Sequence, residues 1–152
     1  MYDTILVPTD GSDTAEYAVE HAIDLAEKYD ADVHALYVVD TSAIDVSLGT
    51  EQVDRIRQGK FGDMPELEQR ANEATGVVAA KAEAHEIRVT EAVVAGQPHK
   101  QISSYAVDND VDLIVMGSAG RSGVRRALLG SVAERTLRST KIPVLVVDRD
   151  DD

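Results

Sequence analysis

The chain has 152 residues, 43% of them hydrophobic, which suits one domain around one core. It has no cysteine, which excludes a disulfide scaffold and a thiol nucleophile. Its formal net charge is −13, from 28 acidic and 15 basic side chains, which argues against nucleic acid and anionic membranes as partners.

Residues 3–8, DTILVP, read as a short buried strand. Residues 13–29 have helical spacing, with Ala15, Val19, Ala22, Ile23 and Ala26 on one face. Ser12 or Asp13 can cap that helix, and Glu16, three after Asp13, suits a capping box. Residues 32–39, DVHALYVV, read as a second strand. Residues 40–65 have no clean period and contain Gly49, Gly59, Gly62 and Pro65. A connection of that length usually serves as a lid, a binding loop or a mobile segment, so a regulatory protein is expected to dock there if anywhere.

Residues 66–85 return to helical spacing through Leu67, Ala71, Ala74, Val78 and Ala82. Residues 87–95 form a third strand ended by Gly96, and Pro98 opens a helix to about Asn109 with Ile102, Tyr105 and Ala106 inward. Residues 111–116, VDLIVM, are a fourth strand. A glycine segment follows, then a helix from about Ser131 to Ser139 and a last strand over 143–147. The acidic tail 149–152 is expected to be disordered, leaving 1–148 as one domain. Nearly continuous apolar strands alternating with helices predict an α/β fold: an open parallel five-stranded sheet with helices on both faces.

The glycine segment carries the most chemical information. Gly117 and Gly120 lie three apart directly after the fourth strand, and nine residues later Gly130-Ser131 opens the last helix. Gly117 and Gly120 can adopt positive φ and lack Cβ, so the chain can turn sharply beside a ligand. Backbone N–H groups around such turns, and at a helix start, attract phosphate. Residues 112–149 hold 3 acids and 7 bases, net +4, against net −14 over residues 1–111. Five of those bases are Arg121, Arg125, Arg126, Arg135 and Arg138, a local positive field around the segment. The spacing is neither a Walker loop nor a dinucleotide fingerprint. Ligands in open parallel sheets bind beyond the carboxyl ends of the strands, where strand order reverses. If strands one and four meet there, Asp10 faces the first glycines across one crevice. Asp10 would then accept hydrogen bonds from a ribose or hold a divalent metal bridging to phosphates, and Val38 would pack on a base.

On ILVPTDGS at 5–12, YVVD at 37–40 and VMGSAGRSGVRRALLGSVAERTLRSTKIPVLVV at 115–147, the chain resembles the universal stress protein (UspA) family over essentially its whole length. The third stretch matches the G-2x-G-9x-G(S/T) pattern of the family's ATP-binding branch. The resemblance implies strand order 3-2-1-4-5, a Rossmann-like sheet akin to the adenine nucleotide alpha hydrolases, and homodimers. It implies ATP with Mg2+ or Mn2+ as cofactors. Asp10 would contact the ribose or the metal, Val38 and the backbone near Thr9 would hold adenine, and Gly117, Gly120, Gly130 and Ser131 would hold the phosphates. Arg121 and Val132 would line the site, and Pro8 and Met116 complete the expected set. The family often has His between the first two glycines; Ala119 stands here and leaves the backbone cradle intact.

A nucleotide cradle does not make an enzyme. Phosphoryl transfer needs in-line positioning, a metal and a base or water-orienting group. Asp10 is the one strongly placed acid, so the leading expectation is a stress-response sensor that binds ATP with at most weak hydrolysis. The alternatives are a weak ATPase or nucleotidyl or phosphoryl transferase, and a nucleotide-independent dimeric interaction protein. The opening MYDTILVPTDGS places Asp3 where a secretory leader carries basic charge, and no apolar run exceeds six residues, so a cytoplasmic location is expected. Such acidity also suits a high-salt cytoplasm, where extra carboxylates keep proteins hydrated. The apolar edge at 143–147 is expected to pair with a second copy.

Overall fold

The computed structural model describes residues 2–41, 65–118 and 129–148. Most of the connection expected at 40–65, the glycine segment over 119–128 and the tail 149–152 lie outside the described residues. In chain order the elements are β1 (Thr4–Pro8), α1 (Asp13–Tyr29), β2 (Asp32–Asp40), α2 (Pro65–Ala84), β3 (Val89–Gly96), α3 (Pro98–Asp108), β4 (Leu113–Gly117), α4 (Ser131–Ser139) and β5 (Val144–Val147).

The strands form one parallel sheet in the order β3-β2-β1-β4-β5, as expected. Strand alternation divides the core into two layers. Ile5, Val7, Val33, Ala35 and Val115 face α1 and α2, meeting Val19, Ala22 and Val78. Leu6, Leu36, Ile114 and Met116 face α3 and α4, meeting Ile102, Ala106 and Ala133. Ile5, Leu6, Leu36, Ile102 and Ile114 are fully buried, and each side chain of that size contributes about 1.5–3 kcal/mol when removed from water. Both faces of β1 and β4 are covered, which is why their sequences read as continuous apolar runs.

Helix α1 starts differently from the capping-box expectation. Ser12 is the N-cap, and its Oγ accepts the Ala15 N–H at 3.2 Å. Asp13 and Glu16 are instead first-turn acids, placed favourably for the helix dipole. Strands β3 and β4 begin two residues later than the apolar pattern suggests. Ile87 and Val111 are buried, yet their N–H groups close the preceding helices on the carbonyls of Ala82 and Ala106, at 2.8 and 2.9 Å. The residues just before them, Glu86 and Asp110, take left-handed φ of 58° and 52°. Among the described residues no helix is long and apolar enough to cross a membrane.

Candidate functional site at the sheet reversal

Strand order reverses between β1 and β4, which pair directly through Ile5 with Leu113 and Leu6 with Ile114. Their carboxyl ends therefore open side by side. From β1 the chain runs into a tight turn. The Thr9 N–H donates to Leu36 O at 2.9 Å, extending the ladder to β2. Thr9 Oγ1 accepts the Gly11 N–H at 3.2 Å, and Asp10 Oδ1 accepts the Ser12 N–H at 2.9 Å. Gly11 has φ of 79°, the left-handed conformation that favours glycine. The run Asp10-Gly11-Ser12 is thus a carboxylate-stitched turn that delivers α1 its cap. It holds the half-buried Asp10 at the mouth of the crevice.

On the β4 side, Gly117 is the last strand residue, and its φ lies outside the left-handed region. The positive φ expected of it is not observed. Glycine is required by close approach instead: a Cβ there would lie 2.9 Å from Thr14 Cγ2 and 3.2 Å from the Thr14 backbone. The next residue, Ser118, is buried and ties three segments together. Its N–H donates to Val147 O at 2.9 Å, its Oγ donates to Asp148 Oδ1 at 2.8 Å, and its carbonyl accepts the Gly130 N–H at 2.6 Å. The last bond brings the two ends of the glycine segment together.

Gly130 is buried and is the N-cap of α4, with extended φ and ψ of −64° and 154° and no side-chain capping bond. Ser131 and Val132 follow on the exposed first turn. An N-terminus without a side-chain cap leaves its N–H groups to water or an anion. Of the other expected site residues, Pro8 and Met116 are buried, and the Met116 side chain belongs to the core under α3 and α4. Val38 is half-buried at the edge of that same layer. Gly120 and Arg121 lie outside the described residues. The structure thus brings Asp10, Gly117, Gly130 and Ser131 to one end of the sheet, with Val38 one strand away.

Sequence reasoning missed Ser118, Thr14 and Asp148. A serine between two glycines gives no signal of its own, because its partners come from β5 and from the start of α4. His34 and Tyr105 also form an unexpected pair, with Nδ1 and Oη 2.7 Å apart. Burial pushes the His34 imidazole below its ordinary value, against a smaller opposing effect of Asp32, and pushes the Tyr105 phenol up. The pair stands near the amino end of β2, away from the crevice. No group of three or more potential metal ligands occurs among the described residues.

Comparison with known proteins agrees with this architecture. The model of the universal stress protein family matches residues 1–148. The universal stress protein MJ0531 of Methanocaldococcus jannaschii is 39% identical over 98% of this chain and 84% of its own length. The solved structure of MJ0577, 31% identical, superposes with a TM-score of 0.80 over 100% of this chain and 99% of that one. The curated sequence of MJ0577, also from M. jannaschii, is called a universal stress protein. A universal stress protein solved in complex with cAMP is 25% identical, with a TM-score of 0.65 over 97% of both chains. The chain belongs to the universal stress protein family.

Proposed function

We propose that this protein binds ATP at the carboxyl ends of β1 and β4 and serves as a nucleotide-dependent regulatory module with slow or negligible turnover. The observation that carries this reading is the bond from Gly130 N–H to Ser118 O at 2.6 Å. It joins the ends of the glycine segment and sets the uncapped N-terminus of α4 beside the end of β4. Phosphates would be held there by the first-turn N–H groups of α4 from Ser131 onward and by the glycine segment from Gly117 through Gly120. Gly130, its own N–H given to Ser118, would contribute by lacking a Cβ. Arg121 and Val132 would line the rim.

Asp10, on the turn that follows β1 at the same end of the sheet, would serve the ribose or a magnesium ion. Magnesium is commonly held by one or two carboxylates together with substrate phosphates, so one acid suffices. When bound, the ion would neutralise phosphate charge. Val38 would offer an apolar wall for the base, with the buried Pro8 on the adjacent strand. Thr9 has placed its N–H on Leu36, so its own contact to a base would come through its carbonyl. The cAMP complex of a relative supports an adenine nucleotide as the ligand class.

A two-fold dimer through β5 is part of the same proposal. This edge strand exposes Leu145, and α4 beside it exposes Val132 and Leu137. An unpaired apolar edge is stabilised by pairing with a second copy. The binding reading is tested on the purified protein by denaturing it and separating what it releases. Retained adenine nucleotide supports the reading; a nucleotide-free protein that also fails to take up ATP contradicts it.

A further inference from the structure

Gly96 closes β3 with φ of +145°, a conformation essentially limited to glycine. A Cβ at Gly96 would lie 2.6 Å from Gln101 Nε2 and 3.0 Å from Gln101 Cγ. The Gln101 side chain therefore lies across the strand end, in space that only a glycine leaves open. Gln101 belongs to the first turn of α3, where its N–H donates to Gln97 O at 3.0 Å. It is half-buried, and among the described residues its carboxamide makes no hydrogen bond. Its carboxamide is not sealed from solvent, so both its donor and its acceptor are open to a ligand.

The location gives that group a use. Val38 pairs with Val94, and Asp40 pairs with Gly96. Strand alternation puts Val38 and Gly96 on the same face of the sheet, the one covered by α3. From strand spacing and rise they are diagonal neighbours about 8 Å apart. A flat base resting on Val38 would extend its polar edge toward Gln101.

We propose that Gln101 is the base-reading residue of the nucleotide site, its carboxamide pairing with the N6 and N7 edge of adenine. The inference rests on the nucleotide-binding reading above. On that edge adenine presents one donor and one acceptor, which a carboxamide matches in two parallel bonds. Guanine presents two acceptors there, so the carboxamide oxygen would face a lone pair. An arginine at this position offers two donors and matches guanine instead.

Titration calorimetry of the full chain with ATP, GTP and inorganic tripolyphosphate, each with magnesium, tests this. Gln101→Ala is expected to weaken ATP about tenfold while leaving GTP and tripolyphosphate unchanged. Gln101→Arg is expected to shift preference toward GTP with tripolyphosphate again unchanged, a change that a merely structural role would not produce. A parent that binds ATP, with an ATP-to-GTP ratio unaltered in both variants, overturns the assignment of Gln101 and leaves the site intact. A parent that binds no nucleotide overturns the site reading itself.

Discussion

Gly117 and Thr14 share a space that admits no β-carbon: one added to Gly117 would sit 2.9 Å from Thr14 Cγ2 and 3.2 Å from the Thr14 carbonyl carbon and oxygen. The contact presses the end of β4 onto the first turn of α1 and so fixes the spacing of the crevice. Gly117→Ala should destabilise the fold by about 1–3 kcal/mol, the usual range for overpacking. Thr14→Ser removes the nearest atom and should recover part of that loss. Urea unfolding of the two single variants and the double variant measures the coupling; strict additivity would show that the contact is not the cause.

Three acidic residues hold left-handed conformations where helices turn into strands: Asp30, Glu86 and Asp110, with φ of 54°, 58° and 52°. Each follows a helix whose end repels negative charge, and each residue other than glycine is strained there. Replacing any one by glycine should stabilise the protein by about 1 kcal/mol. Asn substitutions keep the conformation but remove the charge. Their gain should shrink in molar salt, whereas much of the glycine gain should persist. Thermal unfolding at low and high salt separates the two contributions.

These turns also show where the sequence was legible and where it was not. The alternation of apolar runs and helices made a parallel α/β sheet legible, while the strand order 3-2-1-4-5 was implied by the family resemblance. The starts of β3 and β4 were misplaced because Ile87 and Val111 look like strand residues, being apolar and buried, yet spend their N–H groups on helix ends. At the site, Asp10 and Gly130 could be read from spacing and lie at the same end of the sheet. The reason for Gly117 could not be, since the atom that forbids a side chain belongs to Thr14, a hundred residues away. Ser118 was invisible for a similar reason, its partners being Val147, Asp148 and Gly130.

The His34 and Tyr105 pair gives stability a pH dependence. Burial lowers the His34 pKa from 6.5, so the unfolded chain binds its proton more readily than the folded one. The contribution of neutral His34 is present in full above pH 6.5 and is lost as pH falls through the lowered folded value. His34→Asn should therefore flatten the acid side of the stability curve relative to the parent. Melting temperatures of both proteins across that interval check it; parallel curves would contradict it.

Leu145 on the edge strand is 36% exposed, and Leu137 on the neighbouring helix is 43% exposed. If β5 pairs with a second copy, Leu145→Lys should shift a dimer to monomers without altering the fold. Sedimentation velocity reads this directly. A parent that is monomeric at all concentrations would contradict the pairing.

The proposed ATP site is the crevice between Asp10 and Gly130. Equilibrium titration of the protein with ATP and magnesium tests it most directly, run beside Gly130→Val with the melting temperature of each recorded without ligand. Saturable binding of one ATP per chain to the parent is expected, with a loss of at least about tenfold in a folded Gly130→Val, whose branched side chain would enter the phosphate position. No saturable binding to the parent, or equal binding to a folded variant, would contradict it.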